Sequence, residues 1–324
     1  MSSPIVVATH GHCFDGVASA VMFTHLLRTI DGARHRGARF VYKGQAYDPG
    51  KNGVDPAIFA DAAESAILDF RYTASDALSW YFDHHVSAFP TDRERDHFGK
   101  LAENGRGFFD PKAGSCTILV DRISRNTFHV DTSRFEELVR WADMIDTAGF
   151  PTPAMAVERT HPEMRLLAVI EQQGDDKLLS DLVGRLLDRP LGEVAADADL
   201  AARFAPIDAL HKAQVARIRD REHPRGAVVW VDLLDGLVET VTKFVTYADY
   251  PELPYSVVAS RTEKRCKISV GYNPWSSVPR THDIARICER HGGGGHPVVG
   301  AIALPPDPDR CRALALEIVE ELNR

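Results

Sequence analysis

Apolar positions along this chain come in short blocks separated by polar turns, and the spacing inside each block changes from strand-like to helical and back. Residues 5–9 form a compact β-branched run that reads as a buried strand. Asp15 and Gly16 follow, and residues 17–27 then carry apolar positions at helical spacing. Residues 40–42 predict a second strand. Residues 65–70 predict a third, with Asp69 at its end. Residues 76–80 read as a short helix or turn, and 80–82 as a fourth strand that runs into Asp83, His84 and His85. Strands alternating with helices imply a mostly parallel sheet, and such sheets bind ligands beyond the carboxyl ends of their strands. Three of these strand ends carry Asp or His, so they are expected to converge.

Further on, Ser115 is placed to cap a helix over 116–124, and 135–145 predicts another that ends near Asp143 and Asp146. Residues 163–171 and 177–188 read as helices, and 191–222 as an Ala-rich connecting helical segment containing Pro206. The break at 223–226 opens a second β/α pattern. It comprises a strand over 228–233, a helix over 237–246, strands over 255–260 and 266–272, a helix over 281–290, a flexible glycine loop over 292–295, a strand over 298–304 and a helix over 311–323. The expected organisation is a catalytic α/β domain over 1–190, a helical connector over 191–225 and a smaller α/β domain over 226–324.

Composition narrows the classes. The chain has 324 residues, 44% of them hydrophobic and 26% charged, with a formal net charge of −8. No apolar run approaches the roughly 20 residues needed to span a bilayer. The five cysteines are scattered, with no Cys-x-x-Cys pair, which argues against structural zinc and a disulfide framework and for a cytoplasmic protein. The charge excludes the broad basic field of a long-duplex binder. Residues 261–290 nonetheless hold seven basic and three acidic residues, a local excess that suits a phosphate-bearing substrate.

Fourteen histidines are present, and His10/His12, His84/His85 and His291/His296 form tight clusters. His10, His12 and Asp15 after the first strand can ligate a metal; alternatively, Asp15 simply caps the next helix. Asp69 at a buried strand end requires a partner or a cation. In Asp83-His84-His85, one histidine can bind metal while the other faces substrate, with Asp83 behind them. Asp143 and Asp146 share a helix face, where a cation would relieve their repulsion. Gly293, Gly294, Gly295 and His296 can close backbone N–H groups on phosphate oxygens.

Taken together, Asp69, Asp83-His84-His85, and the Gly293-Gly294-Gly295-His296 run followed by Gly300 resemble the DHH phosphoesterase family, in the subgroup with a DHH-associated C-terminal domain. The motifs extend over 10–301, nearly the whole chain. The resemblance implies a phosphodiesterase or phosphatase with two divalent metal ions, usually manganese, with zinc, iron or magnesium as alternatives. It implies an active site in the cleft between the two domains. His10 and Asp15 would be metal ligands, Asp69 would bridge the ions, His84 would bind metal and His85 would face the phosphate. Asp146, with Asp143 as its competitor, would be the fourth-motif ligand. Arg261, Asn273 and the glycine run with His296 would hold the far end of the substrate.

One departure is notable. Many relatives carry Asp where this chain has His12 and Pro where it has Phe14. Histidine can still ligate manganese, zinc or iron, but one negative charge is lost, so the first metal site is expected either to bind metal more weakly or to prefer a softer metal such as zinc.

The expected activity is hydrolysis of short single-stranded oligonucleotides or linear dinucleotides to mononucleotides, with Asp69 fixing the metal spacing and His85 assisting the leaving oxygen. The alternatives are a phosphatase of small phosphorylated nucleotides, an exopolyphosphatase, and a non-catalytic nucleotide-binding regulator. No membrane partner is expected, and a homodimer is left open.

Overall fold

The computed structural model describes residues 3–35, 37–47, 53–238 and 241–324. The chain divides into two compact units, Met1–Phe150 with His161–Ile207, and Pro151–Thr160 with Asp208–Arg324. Among the described residues no helix is long and apolar enough to cross a membrane.

The first unit is built on five parallel strands: β1 (Ile5–His10), β2 (Phe40–Gln45), β3 (Glu64–Leu68), β4 (Trp80–Asp83) and β5 (Gly107–Phe109), in the order β2-β1-β3-β4-β5. β3 and β4 are buried along their whole length, with apolar cores at 66–68 and 80–82 and the buried polar residues Glu64, Ser65 and Asp83 at their ends. The helix Phe14–Ile30 packs against Cys116–Asn126, Glu136–Asp146 and Asp176–Asp188. Met22, Phe23, Leu26 and Leu27 are fully buried in it, each contributing about 1.5–3 kcal/mol relative to exposure. In this strand order the topology reverses between β1 and β3, and the crevice at such a switch point is where open α/β sheets bind ligands. His10 ends β1 and Asp69 follows β3 there.

The second unit holds a mixed sheet of β6 (Glu222–Arg225), β7 (Val228–Asp232), β8 (Tyr255–Arg261), β9 (Cys266–Tyr272), β10 (Gly294–His296) and β11 (Val299–Leu304), ordered β10-β11-β9-β8-β7-β6. One face carries Tyr255, Val257, Ala259, Ile268 and Val270 into a core shared with helices Ile284–Arg290 and Pro308–Leu322. The period of two sends Ser256, Ser260, Lys267 and Ser269 to the other face. His211 Nε2 lies 2.6 Å from the carbonyl of Val157, tying the 151–160 excursion to this unit.

Several elements differ from expectation. The glycine run is not a free loop: Gly294–His296 pairs antiparallel with β11 as an edge strand. Part of the helix expected over 237–246 lies outside the described residues. The described part is irregular up to a short helix at Val245–Asp249, and β-branched Val238, Val241 and Thr242 disfavour the helical alternative. Val238 and Val241 pack against a second apolar cluster, which holds this segment without a regular helix. The helix Asp92–Glu103 and strand β5 have no counterpart among the expected elements. That helix buries only Leu101, so it shows little apolar periodicity.

Candidate metal centre

β1 hands the chain to the helix Phe14–Ile30 through Gly11, His12 and Cys13. The first helical turn folds back on the strand end so closely that a Cβ on Gly16 would lie 2.1 Å from the His10 carbonyl oxygen. The Thr9 hydroxyl donates to the Gly16 carbonyl at 2.9 Å and fixes this contact. Asp15 is thereby carried into the interior, 1% exposed. Its carboxylate accepts hydrogen bonds from the backbone N–H groups of Cys116 (2.7 Å) and Thr117 (2.9 Å). It therefore caps the helix Cys116–Asn126, far away in sequence, rather than its own helix, whose cap position is Cys13. Ser115 caps the same helix from within, accepting from Ile118 N at 3.1 Å, in keeping with its place in the sequence.

Asp69 follows β3 in the left-handed backbone region, with φ of 53°. A non-glycine residue there carries a cost of about 1–3 kcal/mol and persists where surrounding structure imposes it. The Asp69 N–H donates to the Phe82 carbonyl at 3.0 Å, which holds the conformation. The carboxylate is 1% exposed and divides between two sets of neighbours. Oδ2 lies 3.6 Å from His10 Nδ1; Oδ1 lies 3.6 Å from His84 Nε2 and 3.7 Å from His85 Nδ1. Among the described residues neither oxygen, nor His84 Nε2, has a hydrogen-bond partner.

Asp83 ends β4 and is fully buried. Its Oδ2 accepts from the Tyr81 hydroxyl at 2.9 Å, and its Oδ1 lies 2.8 Å from His85 Nδ1. His84 turns the other way. Its Nδ1 lies 3.1 Å from the Ala113 carbonyl, which orients Nε2 toward Asp146 Oδ2 (3.3 Å), Asp69 and Asp15 Oδ2 (3.9 Å).

The charges are strongly interdependent. Burial opposes ionisation of Asp69, but the His10 and His84 imidazoles outweigh it and hold its pKa below the usual carboxylate value. Burial also disfavours charge on His84, yet Asp69, Asp15 and Asp146 carry its pKa up to about 9. Asp15 is raised well above its ordinary value by burial and by the Asp69 and Asp146 charges, and Asp146 is raised by burial and Asp69. The hydrogen bond to Asp83 raises His85. Two buried carboxylates, Asp15 and Asp69, beside the more exposed Asp146, together with unpartnered carboxylate and imidazole atoms, fit divalent cations of the manganese, zinc, iron and magnesium group.

Three overlapping donor sets each bring their atoms within 4.8 Å of one another: Asp69 with Asp83, His84 and His85; His10 with Cys13 and Asp69; Asp15 with His84 and Asp146. Asp146 rather than Asp143 is thus the member of the fourth-motif pair that meets His84. Asp143 faces Gly114, and its buried Oδ1 has no partner among the described residues. His12 lies outside all three sets, with its Nδ1 3.0 Å from the Glu171 carbonyl. Cys13 joins a set although its sequence context points to no chemistry. Its one signal is its position, three residues after His10 in a loop already rich in donors.

In the second unit a cavity of about 590 Å³ is lined by the polar face of β8 and β9 and by Gly294, Gly295 and His296 of β10. Lys243 and Lys267 also line it, and among the described residues no carboxylate does. Gly293 lies just outside, where a Cβ would fall 2.2 Å from the Ala301 carbonyl oxygen. Arg261 and Asn273 are placed elsewhere. Arg261 Nε donates to the Leu234 carbonyl at 2.6 Å. Asn273 is fully buried, donating to the carbonyls of Pro251 and Leu253 and accepting from Trp275 N.

No protein-family model matches the chain, and no curated protein matches it. Solved structures do, and they share its fold, a DHH domain among them. A pGpG-specific phosphodiesterase, PggH from Vibrio cholerae, aligns with a TM-score of 0.67 at 18% identity, covering 98% of this chain and 99% of the other. A DHH domain from a protein described as belonging to a family of ribosomal proteins aligns at 0.60 with 11% identity over 98% and 86%. RecJ from Thermus thermophilus in complex with Mn2+ aligns at 0.50 with 12% identity, over 99% of this chain and 52% of RecJ.

Proposed function

We propose that this protein is a divalent-metal-dependent phosphodiesterase that hydrolyses linear dinucleotides or short single-stranded oligonucleotides to mononucleotides. Asp69 carries the reading. A buried carboxylate in a strained backbone conformation, with both oxygens unpartnered and each facing different imidazoles, is arranged to bridge two cations. His10 stands on one side, and His84 with Asp15 and Asp146 on the other. Divalent cations held by these residues would supply Lewis acidity and charge neutralisation for attack of water on phosphorus.

The chain's own groups perform the remaining work. Asp83 fixes the His85 ring through Nδ1 and favours its protonated form, so His85 donates a proton to the leaving oxygen as the P–O ester bond breaks. Tyr81 holds Asp83 from behind. The fully buried Asp15 keeps its carboxylate in place through two backbone N–H groups, so the site is preorganised by the same bonds that start a helix. The cavity of the second unit supports an anionic small-molecule ligand such as a nucleotide. Its size falls within the range of small-molecule sites, and its lysines, His296 and hydroxyls suit an anion. The likeness to a phosphodiesterase described as pGpG-specific supports a linear dinucleotide over longer strands.

The test is a substrate panel. Chelator-stripped protein, with and without added Mn2+, is given a 5′-phosphorylated dinucleotide, longer oligonucleotides, a cyclic dinucleotide, mononucleotides carrying a terminal phosphate, and polyphosphate. Mn2+-dependent release of mononucleotides from the dinucleotide is expected. Degradation of polyphosphate alone would replace this reading with an exopolyphosphatase. Nucleotide binding without turnover under any metal would replace it with a regulator.

A further inference from the structure

We propose that the His10 side of the centre is completed by the Cys13 thiolate, not by His12, and that it takes a thiophilic divalent cation, zinc or ferrous iron, in preference to manganese or magnesium. The proposal rests on the metal-binding reading of the site and specifies one of its ligands. His10, Cys13 and Asp69 bring one donor atom each within 4.8 Å of one another. Asp69 Oδ2, the oxygen that faces His10, is buried and unpartnered among the described residues, so it aims at this position without being satisfied by the protein. Two donors about 2.0–2.1 Å from zinc at the tetrahedral angle lie roughly 3.3–3.4 Å apart. The 3.6 Å between His10 Nδ1 and Asp69 Oδ2 therefore needs little movement to close on an ion.

His12 is unsuited to the same task. Its Nδ1 is directed to the Glu171 carbonyl at 3.0 Å, and its backbone, at φ of 56°, is packed against Gly174. The chain thus sends residue 12 outward and residue 13 inward. A soft sulfur beside one imidazole and one carboxylate shifts preference toward zinc or iron, whereas an all-oxygen-and-imidazole set accommodates manganese and magnesium. The other side of the centre, built from Asp15, His84 and Asp146, contains no sulfur. The two sides therefore differ in metal preference, and a mixed-metal centre follows.

The test uses the full chain and a spectroscopic reading that does not depend on turnover. Stripped protein is titrated with Co2+, and zinc and manganese affinities are measured by competition. Wild type is expected to show a near-ultraviolet thiolate-to-cobalt band. Cys13→Ser is expected to lose that band and to bind zinc at least about 10-fold more weakly, with manganese affinity little changed. His12→Ala is expected to keep both the band and the zinc affinity. Cys13→Asp, which supplies a hard ligand in its place, is expected to bind Co2+ without the band and to favour manganese over zinc. Cobalt binding to wild type without a thiolate band, or a band that survives Cys13→Ser, overturns the proposal while leaving the metal centre standing. No cobalt binding at all overturns the metal reading itself.

Discussion

Asp15→Asn separates the structural and the metal-holding parts of one buried side chain. Both oxygens of Asp15 accept backbone N–H groups, from Cys116 at 2.7 Å and Thr117 at 2.9 Å. Asparagine offers one acceptor, so in either orientation its NH2 faces an N–H at the buried start of the helix Cys116–Asn126. The loss is about 1.5–3 kcal/mol for a hydrogen bond to a charged group. A counter-effect exists. Asp15 is repelled by Asp69 and Asp146, and removing its charge relieves that repulsion while the site holds no cation. The net loss in chelator is therefore placed at the low end, about 1.5 kcal/mol, or roughly 3–6 °C of melting temperature for a unit of this size. With Mn2+ the relief disappears. Wild type then gains about 2.7 kcal/mol when metal stands at 100 times its Kd, and a variant lacking a ligand does not. Thermal unfolding of both proteins in chelator and in Mn2+ is expected to show a small gap that widens with metal. Equal melting in chelator would refute the hydrogen-bond reasoning, and an undiminished Mn2+ shift in Asp15→Asn would refute its role as a ligand.

Asp146→Asn is expected to weaken metal binding by at least about 10-fold, whereas Asp143→Asn leaves it unchanged; titration calorimetry with Mn2+ compares them, and the reverse ranking would move the ligand to Asp143. His85→Gln is expected to lower kcat by about 10²–10⁴ with bound metal unchanged, so a parallel loss of metal would make His85 a ligand rather than a proton donor. Glu64 is 4% exposed; burial opposes its charge, but Trp80, His35 and Arg34 outweigh it and lower its pKa from the usual 4.5. Its contribution is therefore present above about pH 4.5 and lost as pH falls through the lowered value. Glu64→Gln should melt below wild type at neutral pH, the gap closing toward acid pH; a gap that widens in acid would contradict the sign.

The features legible in the sequence are those encoded locally. β1, β3 and β4 announce themselves through short apolar stretches at 5–8, 66–68 and 80–82, as strands buried on both faces do, and a parallel sheet then obliges His10, Asp69 and Asp83–His85 to gather at one edge. What stays hidden depends on partners distant in sequence. Asp15 reads as a cap for its own helix, and nothing near it reveals that its hydrogen-bond donors lie at residues 116 and 117. The directions of His12 and Cys13 follow from one left-handed residue, which spacing does not report. Asn273 reads as a substrate ligand, yet its amide is engaged by the loop backbone around it. The serine and lysine parity of β8 and β9 is readable, but only the paired sheet shows that it lines a cavity.

Whether Asp69 bridges catalytic cations is decided by Mn2+-dependent turnover of a 5′-phosphorylated linear dinucleotide by wild type and Asp69→Asn, measured beside bound metal and melting temperature in chelator. Wild type is expected to release mononucleotides only with metal. Asp69→Asn is expected to bind metal at least about 10-fold more weakly and to show no turnover while remaining folded. A folded Asp69→Asn that retains both metal and activity would contradict the bridging role and the reaction built on it.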